Sequence, residues 1–115
     1  LGSPGGPSII TSVFQTILNV VEYGMSVNEA VSSPRFHHQW YPDLIVMEDE
    51  LYSDELNSIL SNKKYLIVKL PIDKETLGVY KRSEIGAVDA ILIDDNGNVF
   101  GGADLRREHH SSTIE

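Results

Sequence analysis

The sequence predicts an α+β or layered α/β fold, and three observations carry that prediction. Apolar residues recur at helical spacing near the N-terminus. Short apolar runs bounded by turn residues fill the second half. An Asn-Gly pair separates the last two of those runs, which is a strong hairpin signal. At 115 residues the chain is long enough for one domain with a single core.

The elements follow in order. The chain opens on a glycine-rich loop, Gly2-Ser3-Pro4-Gly5-Gly6. Ile9, Ile10, Val13, Phe14, Ile17, Leu18, Val20 and Val21 then keep helical spacing, so a helix is expected from about residue 7 to 23, mostly buried on one side. Pro7 suits its first turn, where a missing N–H costs nothing, and Gly24 suits its end. Ser26-Val27-Asn28-Glu29 fits a capping box for a second, short helix, which Pro34 stops. "PRFHHQWYPDLIVME" reads as an extended segment followed by a strand at 44–47. Ser53 can cap a third helix over 54–62, with Asp54 and Glu55 at its positive end and Lys63-Lys64 at its negative end. "YLIVKL" at 65–70 reads as a buried strand. Two more strands are expected at about 87–93 and 98–103, joined by "DDNGN", where Asn96 and Gly97 both tolerate positive φ. The domain is expected to end near residue 107, leaving 108–115 as a polar, flexible tail.

Charge narrows the function. Seventeen acidic against nine basic side chains leave a net charge of −8, which repels phosphate backbones and argues against nucleic-acid binding. The basic residues form only short pairs: Lys63-Lys64, Lys81-Arg82 and Arg106-Arg107. No apolar run reaches the roughly 20 residues that span a bilayer, and no signal peptide is visible at the N-terminus. The absence of cysteine excludes disulfides, thiolate chemistry and cysteine zinc sites.

Gly5 and Gly6 admit three readings. In the first they only let the chain turn into the helix. They can bind a phosphate at the helix N-terminus, although the loop lacks the Lys-Ser/Thr of a P-loop and the third glycine of a dinucleotide fingerprint. Or they can form an oxyanion hole, two successive N–H groups facing a carbonyl oxygen as it becomes negative. Composition does not choose between them.

Other residues invite chemistry less strongly. His37-His38, with Asp43 or Glu48, evokes a metal site, but adjacent side chains on an extended segment point in opposite directions. One packed and one half-exposed histidine is the expectation. His109-His110 falls in the polar tail. Arg35 is expected to pair with a carboxylate and fix its loop. "MEDELYSDE" lacks the ligand alternation of an EF-hand and reads as solvated surface. Phe36, Trp40 and Tyr41 read as core or subunit-interface packing.

A longer pattern is more specific. "GSPGG…II…V…N…YG…N…EAV…PRFHHQWYPD", continued by "IGAVDAILID" and "GGADLRR", resembles the C-terminal half of the small subunit of the γ-glutamyltransferases (γ-glutamyltranspeptidases, or glutathione hydrolases). The match reaches about residue 107, and its strongest markers are the Gly-Gly loop and "PRFHHQW". Two small departures are Pro7-Ser8, where the family often has an arginine nearby, and Leu105, where proline is common.

The resemblance implies part of an N-terminal-nucleophile (Ntn) hydrolase, an αββα sandwich matured by self-cleavage into a large and a small subunit. It implies a threonine nucleophile that attacks a γ-glutamyl amide such as glutathione, with water or an amino acid as acceptor. The residues matching Gly5 and Gly6 hold the oxyanion, and the one matching Gly6 also contacts the donor's glutamyl part. Neither a metal nor a cofactor is implied, and bacterial members are usually periplasmic or extracellular.

The resemblance also assigns the catalytic threonine and the groups that grip the donor to sequence upstream of Leu1. Thr11, Thr16, Thr76 and Thr113 have no free α-amine and cannot replace it. The isolated chain is therefore expected to be inactive. Its partners are expected to be the large subunit and the remainder of the small one, and exposed edges are expected to drive self-association. Two rivals remain: a stand-alone, non-catalytic interaction module of the same ancestry, and an anion-binding loop protein.

Overall fold

The computed structural model describes residues 1–74 and 82–107. Lys81, Thr76, Thr113, His109-His110 and the rest of the 108–115 tail lie outside the described residues. In chain order the elements are α1 (Ser8–Val21), α2 (Val27–Ser32), β1 (Phe36–Gln39), β2 (Leu44–Met47), α3 (Asp54–Asn62), β3 (Ile67–Lys69), β4 (Asp89–Ile93) and β5 (Val99–Ala103). The α+β class expected from the sequence is what the chain adopts, with β1 as a strand inside the segment read only as extended. Two compact units result: Leu1–Ser33 with the chain from Gly86 onward, and Pro34–Ile85.

In the first unit β4 and β5 form an antiparallel hairpin with Asp89 opposite Ala103 and Ile93 opposite Val99. Its turn differs from the expected form. Gly97 has φ +84° but Asn96 is not in the positive-φ region. Asp94 instead organises the loop: its carboxylate accepts the amides of Asn96 and Asn98 at 2.9 and 2.8 Å. The Asn98 side chain and these amides hold the Asp94 carboxyl below the usual range. Helix α2 packs on the hairpin, and Val27, Val31, Val88 and Ala90 make the unit's apolar cluster. Its predicted capping box is present: Ser26 Oγ accepts the Glu29 amide and the Glu29 carboxylate accepts the Ser26 amide. That backbone donor holds the Glu29 carboxyl below its ordinary value. Asp104, fully buried, accepts the Val88 amide at 2.8 Å and pairs with Arg106 at 3.0 Å. The Arg106 guanidinium also donates to the carbonyls of Val31 and Ser33, closing the end of α2. Leu105 between them is exposed, so the leucine found where the family favours proline displaces no packing.

Helix α1 corrects one expectation. It is buried along one side, but that side is Ser8, Ser12 and Thr16, while Ile9, Ile10, Phe14, Ile17 and Val21 are exposed. The hydroxyls can face inward because each is satisfied within its own turn: Ser12 Oγ donates to Ser8 O at 2.8 Å and Thr16 Oγ1 to Ser12 O at 2.9 Å. On the hairpin, Ile91, Ile93, Val99 and Phe100 are exposed as well.

In the second unit β1 pairs antiparallel with β2, and β2 pairs parallel with β3. Leu44, Val46, Leu70, Ile72 and Ile85 form its core, with Val68 packed against them. Strand β3 is shorter than "YLIVKL" suggested and only half buried, with Tyr65 and Leu66 exposed. Ser53 caps α3 by accepting the Leu56 amide. Lys63 and Lys64 lie just past its last turn. Lys64 has φ +67°, and the Lys64 and Tyr65 amides return to Ser61 O and Leu60 O, a Schellman closure with lysine where glycine is usual.

Just before β1, Arg35 is 1% exposed, its guanidinium donating to Ile85 O at 3.0 Å. This ties the start of the segment to residue 85 through a backbone carbonyl. The nearby carboxylate is that of Glu48, buried, which accepts the amides of Arg35 at 2.8 Å and Ile85 at 3.1 Å. Glu48 thus leaves the acidic run "MEDELYSDE", whose other acidic side chains are exposed, with Asp49 paired to Lys69 at 3.1 Å.

Two stability outcomes follow. Glu48→Ala strands two buried amides and should cost about 2–4 kcal/mol in chemical denaturation, with Glu48→Gln costing less; equal losses would contradict this account. Lys64→Gly removes a left-handed lysine and should stabilise by about 0.5–1 kcal/mol, measured the same way, and a loss of stability would contradict the closure described.

Candidate functional site

The glycine loop is built from three short-range constraints in the first unit. At its start, Gly2 and Asp89 exchange both backbone hydrogen bonds at 3.0 Å, so the chain enters as a short extension of the hairpin. At its end, the amides of Ser8 and Ile9 reach back to Gly5 O at 3.2 Å and Gly6 O at 3.1 Å, opening α1. Ser8 Oγ also donates to Gly5 O at 2.8 Å. Between these points Ser3 Oγ donates to Pro4 O at 2.7 Å and accepts the Ala87 amide at 3.0 Å. Pro7, helical at φ −60°, occupies the turn the sequence assigned it.

Gly5 and Gly6 both have positive φ, +133° and +56°. The two need glycine for different reasons. A Cβ on Gly5 would lie 2.7 Å from Ser8 Oγ and 3.3 Å from Gly86 Cα, so packing forbids it. A Cβ on Gly6 would meet nothing within 4 Å, so that side of Gly6 is open space. Among the described residues neither the Gly5 nor the Gly6 amide donates a hydrogen bond. No acidic side chain occupies the first turn of α1, so the positive end of its dipole is not offset there. Two successive free N–H groups beside a helix N-terminus are suited to an oxygen that carries negative charge.

The other candidates separate. His37 is buried with Nε2 2.8 Å from Gln39 Oε1, whereas His38 is half-exposed with Nε2 2.9 Å from Asp43 Oδ1 and its ring edge-on to Tyr65. Adjacent positions of β1 thus send them to different surroundings. Asp43 does meet His38, but Glu48 is occupied by the Arg35 and Ile85 amides. Among the described residues no three His, Asp or Glu side chains could hold one metal ion. Phe36, Trp40 and Tyr41 are not core residues: all three are exposed, Trp40 at 91%. Thr11 and Thr16 lie within α1, as expected. No helix among the described residues is long and apolar enough to cross a membrane.

Sequence reasoning missed Gly86. It has φ +66°, and a Cβ there would fall 2.3 Å from Ser12 Oγ and 2.7 Å from Ser3 Oγ. Its only sequence signal was a glycine at the head of an apolar run, "IGAVDAILID", which does not distinguish a close approach from a turn.

Comparison with known proteins agrees with the residue pattern. The family model for gamma-glutamyltranspeptidase matches residues 1–114. The glutathione hydrolase proenzyme of Escherichia coli strain K12 is 33% identical over 105 residues, which are 91% of this chain and 16% of that protein. Glutathione hydrolase proenzyme 1 of Schizosaccharomyces pombe is 34% identical over 108 residues, 94% of this chain and 15% of that protein. Among solved structures, the T380A mutant of Helicobacter pylori gamma-glutamyltranspeptidase is 37% identical with a TM-score of 0.74, covering 92% of this chain and 52% of that one. The chain therefore spans about one-sixth of the length of these curated relatives, and its mixed helices and strands are part of an Ntn-hydrolase fold. On residue pattern, family match and fold together, the chain belongs to the γ-glutamyltranspeptidase family.

Proposed function

We propose that this chain contributes the oxyanion-holding loop of a γ-glutamyltransferase, with the Gly5 and Gly6 amides as its donors. The observation that carries the reading is a pair of consecutive positive-φ glycines with unengaged N–H groups at the start of α1, in a chain of this family. In the reaction, a threonine hydroxyl adds to the γ-carbonyl of a γ-glutamyl amide such as glutathione. The carbonyl π electrons move onto oxygen, and the two N–H groups stabilise that charge. Collapse expels the amine, which takes up the proton that the threonine hydroxyl gave up on adding, and leaves a γ-glutamyl ester on the threonine. Water or the amine of an amino acid then attacks the ester through a second tetrahedral oxyanion at the same donors. Such donors are worth roughly 3–4 kcal/mol each in other hydrolases. The open side of Gly6 leaves room for the glutamyl part to come close.

The nucleophile belongs to the remainder of the small subunit, and the exposed apolar surfaces fit that assignment. Ile10 (77% exposed) and Phe14 (56%) on α1, with Ile91 and Phe100 on the hairpin, are the kind of surface that other parts of the enzyme cover. On its own the chain is then expected to self-associate and to bind hydrophobic dyes. A compact, dye-silent monomer would favour the interaction-module reading.

Activity tests the proposal directly. The isolated chain should release no anilide from a γ-glutamyl anilide above a denatured control. In the complete enzyme carrying this segment, an ester in place of the Gly5–Gly6 peptide bond removes the Gly6 N–H without adding a side chain at a φ of +56°, where any L residue is strained. About 100-fold is expected in kcat/KM, and an unchanged kcat/KM would remove Gly6 from the site.

A further inference from the structure

We propose that Gly86, together with Ser3 and Ser12, is a positioning element that sets where the Gly5 and Gly6 amides stand. The inference rests on the reading of those amides as oxyanion donors, and it assigns a reaction role to residues that neither carry the nucleophile nor donate to the oxyanion.

The loop has no side chain of its own at residues 5 and 6, so its place is determined by what lies behind it. Behind Gly5 lies the backbone of Gly86: a Cβ on Gly5 would be 3.3 Å from Gly86 Cα and 3.6 Å from Gly86 N. Behind Gly86 lies the hydroxyl face of α1, where a Cβ would be 2.3 Å from Ser12 Oγ and 2.9 Å from Ser12 Cβ. Ser12 is fully buried and belongs to a helix, so it cannot swing aside as an exposed side chain would. Ser3 joins the two segments, since one hydroxyl bridges Pro4 O, just before Gly5, and the Ala87 amide, just after Gly86. The Gly2–Asp89 pair continues the same seam. The stack of α1, Gly86 and Gly5 is thus built on absent side chains, and any methyl added in the middle must move a neighbour.

Position matters because an oxyanion donor acts only at about 2.7–3.1 Å from the oxygen. A shift of about 1 Å in a group that orients the reacting atoms can cost on the order of 100-fold. A residue acting in this way should change kcat while leaving ground-state binding alone, because the charge it helps to hold appears only in the transition state.

The test uses the complete enzyme with this segment, assayed for kcat and KM on a γ-glutamyl anilide alongside the melting temperature. Ser3→Ala keeps the chain's volume and is the decisive variant: kcat should fall about 10-fold with KM within about two-fold. Gly86→Ala should lower kcat by about 100-fold or more; should it fail to fold, Ser3→Ala alone decides. Wild-type kcat in Ser3→Ala, or a loss confined to KM, overturns the proposal. The ester in place of the Gly5–Gly6 peptide bond removes the Gly6 N–H itself and separates the two roles. If that variant keeps full activity, the oxyanion reading fails and this inference with it. If it loses activity while Ser3→Ala and a folded Gly86→Ala do not, the positioning role alone is wrong.

Discussion

The fully buried face of helix α1 is made of hydroxyls instead of hydrocarbon, and the place of the glycine loop depends on that contact. Ser8, Ser12 and Thr16 recur every four residues and stay buried because each donates to a carbonyl within a turn of its own position. Small, internally satisfied side chains let backbone approach the helix closely, and Gly86 takes that place. Larger apolar residues along this face would bury more surface but would hold the 86–89 segment, and the glycine loop tied to it, further away. Close approach has been favoured over apolar area.

The same choice turns the apolar face of α1 outward. A helix with Ile9, Ile10, Phe14 and Ile17 exposed is unusual for a protein surface, and the hairpin repeats the pattern with Ile91, Ile93, Val99 and Phe100. Both are understandable in a layered fold, where helices and sheets each bury two faces. In the relatives this segment is a small part of a much longer chain. On the proposed reading the two faces of α1 have different uses: the hydroxyl face holds the loop, and the apolar face is left for the rest of the enzyme.

Local chemistry was legible in the sequence. The capping box at Ser26 and Glu29, the Ser53 cap, the limits of α1 and the hairpin around Gly97 are written in residues within a turn of each other, where steric and hydrogen-bonding rules act directly. The Gly5-Gly6 loop was legible as a candidate for the same reason. What escaped was whatever depends on distant partners. Helical periodicity marks an apolar stripe but not which side a given segment turns inward. Glu48 looks like one more member of an acidic run until the Arg35 and Ile85 amides are brought to it across 13 and 37 residues. Trp40 and Tyr41 carried the composition of a core but stand exposed. Gly86 escaped because a close approach needs both surfaces to be known.

The measurement that bears most directly on the central claim is a structure of the complete enzyme holding a tetrahedral boronate analogue of the γ-glutamyl amide. The account predicts one boronate oxygen at about 2.7–3.1 Å from both the Gly5 and Gly6 nitrogens, the distance at which such donors act. That oxygen held by other groups, with both glycine amides turned to solvent, would contradict it.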